Sequence, residues 1–311
     1  MDLLDALRLV FGAAVLTYAA RSDWRTREVR DRAWILLGSV GLILFGYELV
    51  RDAAEVIIAL ALVPAVVLFY GVFFGEDFVT ETGWRFPPAT VAAYGIALVG
   101  ALYPIVTLSQ AGDALGLRSF AVTLTPAVMM LVFRGMYQAH LIKGGADAKA
   151  MIAIAALVPM YPSLDPALPL LTLGPQIQEA LTIVFPFAFL VLLNAALLLV
   201  IVPIALLLYN AARGDAEIPE AFLGYTVPVD RVPKFVWFMD QVIEGEHVRI
   251  LFPRKRQDRA AIARDLKAAG VTKAWVTPQL PFLVPLAIAY VVSFVIGNPI
   301  MGLMQAALPV P

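Results

Sequence analysis

Two aspartates carry the chemistry open to this sequence. Asp23 follows the first apolar run, in Ala20-Arg21-Ser22-Asp23-Trp24-Arg25-Thr26-Arg27-Glu28-Val29, and Asp147 ends the turn Lys143-Gly144-Gly145-Ala146-Asp147 ahead of another. A carboxylate set against a transmembrane span is costly and marks a functional site by default. Two of them at one membrane depth can hydrolyse a peptide bond. The ionised one deprotonates water, and the protonated one polarises the scissile carbonyl. Like charges about 3 Å apart cannot both ionise, so closeness alone separates their titrations. Asp147 is expected to begin a helix, whose positive dipole end suits the base, and Asp23 to end one, which suits the acid. The pair still titrates as a unit. Gly144 and Gly145 let the chain turn sharply and let a substrate strand approach closely.

The elements that must position these side chains are apolar and long. The chain has 311 residues, 61% of them hydrophobic, and a mean hydropathy of +0.82. About 20 apolar residues span a bilayer. Eight runs qualify: Leu3–Ala20, Trp34–Val50, Ala54–Phe74, Ala89–Leu108, Phe120–His140, Asp147–Pro162, Ala180–Tyr209 and Pro281–Met304. The expected fold is therefore an all-α polytopic membrane protein of about eight transmembrane helices. The first run is expected to stay in place, because no basic region precedes it and no small-residue cleavage site follows.

Lysine and arginine collect on the cytoplasmic side. With Asp23 placed inside, only Arg8, Arg51 and Arg118 of the 23 basic residues fall outside. Asp147 then lies on the cytoplasmic face as well. All five tryptophans fall in or beside the inner loops, as interfacial anchors do. The reading is a multi-pass protein of the cytoplasmic membrane whose active site faces the cytoplasm.

Residues 210–279 differ, with 11 basic and 9 acidic residues. Pro233–Ile243 reads as a helix closed by Gly245, His247–Phe252 as a strand, Asp258–Ala269 as an amphipathic helix stopped by Gly270, and Val271–Val276 as a strand. A small cytoplasmic α/β module results. The expected division is a membrane domain over 1–210 carrying both aspartates, the module over 211–279, and a C-terminal helix and tail over 280–311.

Several chemistries are excluded. The absence of cysteine removes disulfides, thiolate metal sites and cysteine nucleophiles, and His140 and His247 are too few for a histidine-rich metal site. No metal, no cofactor and no methyl-donor motif is expected. A net charge of −1 implies no nucleic-acid partner, and Arg254-Lys255-Arg256 reads as a solvated or lipid-headgroup face. His140 reads as interfacial.

Gly144-Gly145-Ala146-Asp147 resembles the Gly-x-Gly-Asp signature of intramembrane aspartyl proteases. With Lys149 and the Asp23–Val29 segment, it is similar to the archaeal preflagellin (archaellin) and type IV prepilin peptidases. Leu223-Gly224-Tyr225 and Trp275–Phe282 resemble the C-terminal region of that family. The sequence departs from it in the alanine before Asp147 and in an extra pair of spans between the aspartates. The resemblance implies Asp23 and Asp147 as the catalytic pair. It implies an endopeptidase that removes short basic class III signal peptides from archaellin- or pilin-like precursors in the bilayer.

Other residues are drawn in as support. Lys149 could stabilise the ionised pair, and Arg27 could orient Asp23. Glu76, Asp77 and Glu81 form an acidic patch in the 75–88 loop that could meet a basic leader, or pair with Arg25, Arg30 or Arg32. Pro166-Ala167-Leu168 matches a presenilin-type tripeptide but falls in an expected outer loop. Two other functions compete. One is a presenilin-like protease that cuts inside a substrate's span, and the other is an ion-coupled transporter using the two acids.

Overall fold

The computed structural model describes residues 2–76, 79–80, 83–162, 175–253 and 257–299. Two compact units form, Met1–Ala195 with Phe282–Pro311, and Ala196–Pro281.

The chain runs through α1 (Leu3–Thr26), α2 (Asp31–Arg51), α3 (Val56–Ala59) and α4 (Leu62–Phe74). A short antiparallel pair, β1 (Val79–Thr80) and β2 (Gly83–Trp84), precedes α5 (Pro88–Gln110), α6 (Ala114–Gln138), α7 (Gly145–Leu157), α8 (Pro175–Val184) and α9 (Phe187–Ala212). Six helices among the described residues are long and apolar enough to cross a membrane: α1, α2, α3 with α4, α5, α6 and α9. Eight were expected; one difference has a physical cause, and the other concerns a run that ends outside the described residues. Helix α7 has 13 residues, about 20 Å at 1.5 Å per residue, well short of the roughly 30 Å hydrocarbon core. The last apolar run forms α12 (Leu283–Val295), also 13 residues, and its expected end at Met304 lies outside the described residues. The run expected over Ala180–Tyr209 is broken at Phe185-Pro186, because proline lacks the donor and disfavours helix at the residue before it.

Helix α7 is the centre of the first unit. Ala148 and every residue from Ala150 to Val158 are buried, so it is apolar all round and enclosed by protein. It packs on α2, α6, α4 and α1. The α2 backbone comes close because residue 41 is glycine: a Cβ there would stand 2.4 Å from the Leu157 Cα. Small residues at a crossing are what bring helices together where lipid supplies no hydrophobic drive.

Helix α1 packs against α12, where the Tyr290 hydroxyl donates to the Arg8 carbonyl at 2.7 Å. Arg8 is itself buried and paired with Asp5 at 3.3 Å and with Glu48 of α2 at 2.5 Å. Truncating one member would strand charge in an apolar setting. Asn194 donates to Ser293 at 2.8 Å, joining α9 to α12.

Among the described residues, the second unit holds α10 (Glu220–Leu223), α11 (Arg259–Ala268) and five strands. Strands β3 (Tyr225–Pro228), β7 (Lys273–Pro278) and β4 (Val236–Phe238) form an antiparallel sheet in that order. A hairpin joins β5 (Asp240–Ile243) to β6 (Glu246–Arg249). Val227, Val236, Phe238, Ala274 and Val276 pack with Leu266 of α11. The helix expected over Pro233–Ile243 is instead β4 and β5: Val236 and Phe238 are buried and face Pro278 and Val276 in the register with β7. The expected helix at Asp258–Ala269 is α11, and Asp258 caps it by accepting from the N–H groups of Ala260 and Ala261 at 3.1 and 3.0 Å. Asp240 is 1% exposed, accepts from the Trp275 N–H at 2.7 Å and pairs with the Arg249 Nε at 2.8 Å. Arg254, Lys255 and Arg256 lie outside the described residues.

Candidate active site

Asp23 belongs to helix α1, which continues past the apolar run to Thr26. The helix closes on Arg27, which is left-handed at φ 60° and donates its backbone N–H to the Asp23 carbonyl at 3.0 Å. Ser22 Oγ donates to the Glu28 carbonyl at 2.7 Å, and Thr26 Oγ1 to the Ser22 carbonyl at 2.9 Å, folding the chain towards α2. Asp23 is half-buried, within electrostatic reach of the Arg27 guanidinium, and accepts the backbone N–H of Leu283. Leu283 is the first residue of α12 and its N–H is one of the donors that a helix start leaves free. One carboxylate therefore stands at the negative end of α1 and the positive end of α12, and the two dipoles act on it in opposite senses. The acid–base split argued from α1 alone is incomplete for that reason.

Asp147 lies in the first turn of α7, also half-buried. Its carboxylate folds back over the N-cap residue Gly144, where an added Cβ would meet Asp147 Oδ2 at 2.1 Å. Gly144 has φ −98°, a value open to any residue, so the backbone angle alone does not require glycine there. The need is for space beside the Asp147 carboxylate. The left-handed residue of this turn is His140, at φ 59°. Gly145 is less crowded, with its nearest neighbour the Tyr137 hydroxyl at 3.5 Å from an added Cβ.

Lys149 points to α2. Its Nζ is 2.7 and 2.8 Å from the two carboxylate oxygens of Asp31, and 5.6 Å from the centre of the Phe73 ring. Asp31 opens α2 just after the turn that follows Asp23, so this ion pair ties the start of α7 to the end of α1. Both aspartates consequently sit at the same end of the first unit, with four candidate spans between them in sequence. Asp31 and the Leu283 N–H were missed by the sequence reading. The signals were an acid in the first turn of an apolar run, and Pro281 just ahead of another.

Glu76 is exposed just beyond Phe73, at this same end, and its N–H donates to Thr90 Oγ1 at 3.4 Å. Its carboxylate makes no ion pair with Arg25, Arg30 or Arg32. Asp77 and Glu81 lie outside the described residues, as does Pro166-Ala167-Leu168. Among the described residues, no group of histidine and acidic side chains is arranged to hold a metal ion.

Residues 216–298, covering most of the second unit and α12, match the family described as Archaeal Peptidase A24 C-terminus Type II. The preflagellin peptidase of Methanocaldococcus jannaschii is 29% identical over 178 residues, 55% of this chain and 70% of that one. The chain is similar to archaeal A24 peptidases. The preflagellin peptidase of Methanococcus maripaludis is 28% identical over 169 residues, 52% of this chain and 66% of that one. An uncharacterized Methanocaldococcus jannaschii protein is 25% identical over 301 residues and 94% of each chain. The chain is a multi-pass membrane protein with a small α/β unit near its C-terminus.

Proposed function

We propose that this protein is a membrane aspartyl endopeptidase of the A24 type. Its task would be to remove short basic signal peptides from archaellin- or type IV pilin-like precursors at the cytoplasmic membrane face. Asp23 and Asp147 share the acid–base work, and residues 1–210 hold them in the membrane ahead of the 211–279 module and the 280–311 tail. The single observation that carries the reading is that two half-buried aspartates end and begin helices at one end of the same unit. Aspartyl chemistry needs no bound metal, because the carboxylates supply both the base and the acid.

The position supports this chemistry over transport. An ion-coupled site is expected near the bilayer midplane between broken helices, whereas these acids stand in terminal turns. The test is incubation of membranes containing the protein with a pilin-like precursor, followed by mass analysis of the product. Release of the leader just before the apolar helix is the expected result. A cut deep inside the apolar segment would replace this reading with a presenilin-like one, and intact precursor with cation flux would replace it with transport.

A further inference from the structure

Helices α1 and α2 leave a cleft of about 420 Å³ lined by Phe11, Ala14, Val15, Tyr18, Ala33 and Leu36, with Arg30 and Arg32 at its mouth. Phe11, Ala14, Val15 and Tyr18 follow the i, i+3, i+4, i+7 spacing of a single helix face, and Arg25 continues that face. The cleft therefore runs from a basic mouth at the Asp23 end into the apolar span.

We propose that this cleft binds one anionic phospholipid, its phosphate held between Arg30 and Arg32 and one chain laid along the α1 face. Three observations carry it. Neither guanidinium makes an ion pair or side-chain hydrogen bond among the described residues. The N-terminus of α2 opens at the same place with no side-chain cap, adding a positive dipole end and free N–H donors. The acid that would cancel this field, Asp31, is neutralised by Lys149 at 2.7 Å.

The apolar part selects a lipid over a free anion. A soluble phosphate could use the arginines but would leave the Phe11–Leu36 surface uncovered. A basic leader peptide is disfavoured by like charge at the mouth. Long arginine side chains at a span end also reach the headgroup level readily. Neither arginine belongs to the peptidase site, so lipid binding and cleavage can be tested separately.

The experiment uses the full chain in detergent micelles and counts retained lipid by native mass spectrometry. Phosphatidylglycerol should be retained as a single molecule where phosphatidylcholine is lost, and inorganic phosphate should not displace it. Arg30→Gln and Arg32→Gln should each weaken retention about fivefold, the equivalent of about 1 kcal/mol per basic residue at an anionic surface. Ala14→Trp, which fills the chain slot without touching charge, should also release the lipid. Equal retention of the two lipids would overturn the proposal, as would unchanged retention in the folded double arginine variant. Displacement by inorganic phosphate would overturn the chain slot. A bound precursor peptide released by Ala14→Trp but not by loss of the arginines would mark the cleft as a protein-docking surface instead.

Discussion

The Asp147 carboxylate occupies the space that a side chain at Gly144 would need, with Oδ2 2.1 Å from a Cβ built there. Asp147 is short and starts a buried helix, so it cannot yield by swinging a flexible stem. Any residue larger than glycine must move the carboxylate or unwind the first turn of α7.

Gly144→Ala should therefore lower precursor cleavage by about 100-fold, the cost of misplacing a reacting group by roughly 1 Å. Gly145→Ala should stay within a few-fold of the parent, since its added methyl meets only the Tyr137 hydroxyl at ordinary contact distance. Initial rates on one precursor compare the two. Similar rates for both variants would show that residue 144 does not guard the carboxylate.

Lys149 and Asp31 should behave as a pair. A partly exposed ion pair contributes about 0.2–1 kcal/mol, so Lys149→Met and Asp31→Asn should each cause the same loss of a few-fold. Their pH–rate profiles should overlay that of the parent. A profile displaced in Lys149→Met alone would instead show the ammonium acting directly on the aspartates.

Much of this arrangement was legible in the residues. Asp147 was expected in a helix start because two glycines precede an unbroken Ala-rich run, and Asp23 near a helix end because its apolar run gives way to arginines. The path from 233 to 243 was not legible. Pro233 and Gly245 mimic helix ends locally, but Val236 and Phe238 pair in register with Pro278 and Val276, far along the chain, and pairing of that kind overrides local preference. The short α7 was hidden for a related reason. Its apolar run continues through residues 158–162, and composition cannot show where the helix inside such a run stops. The close approach of Gly144 and Asp147 is a matter of rotamer and turn geometry that spacing does not encode.

The second unit offers a stability test. Asp240→Ala removes the acceptor for the Trp275 N–H, while the Arg249 guanidinium keeps Glu217 and Glu220. Orphaning that buried donor costs about 1–3 kcal/mol. Limited proteolysis of the full chain should then cut faster within residues 196–281, and an unchanged rate would show that this network does not hold the unit together.

The acidic loop is open to charge reversal. If Glu76, Asp77 and Glu81 meet the leader, changing all three to lysine should weaken cleavage of basic leaders by several-fold, since each exposed pair contributes about 0.2–1 kcal/mol. A leader whose lysines are replaced by glutamate should recover part of the loss. Equal losses on both leaders would leave the loop a structural role only.

The central claim is that Asp23 and Asp147 together perform the hydrolysis. Its most direct test is cleavage of a pilin-like precursor by purified Asp23→Asn and Asp147→Asn proteins whose thermal unfolding matches the parent. An amide keeps nearly the same volume but cannot exchange the proton that the reaction needs. Both variants should leave the precursor intact while the parent releases its leader. Retention of more than about a hundredth of the parent rate by either folded variant would contradict the account, since losing an acid or base is expected to cost 10²–10⁴-fold or more.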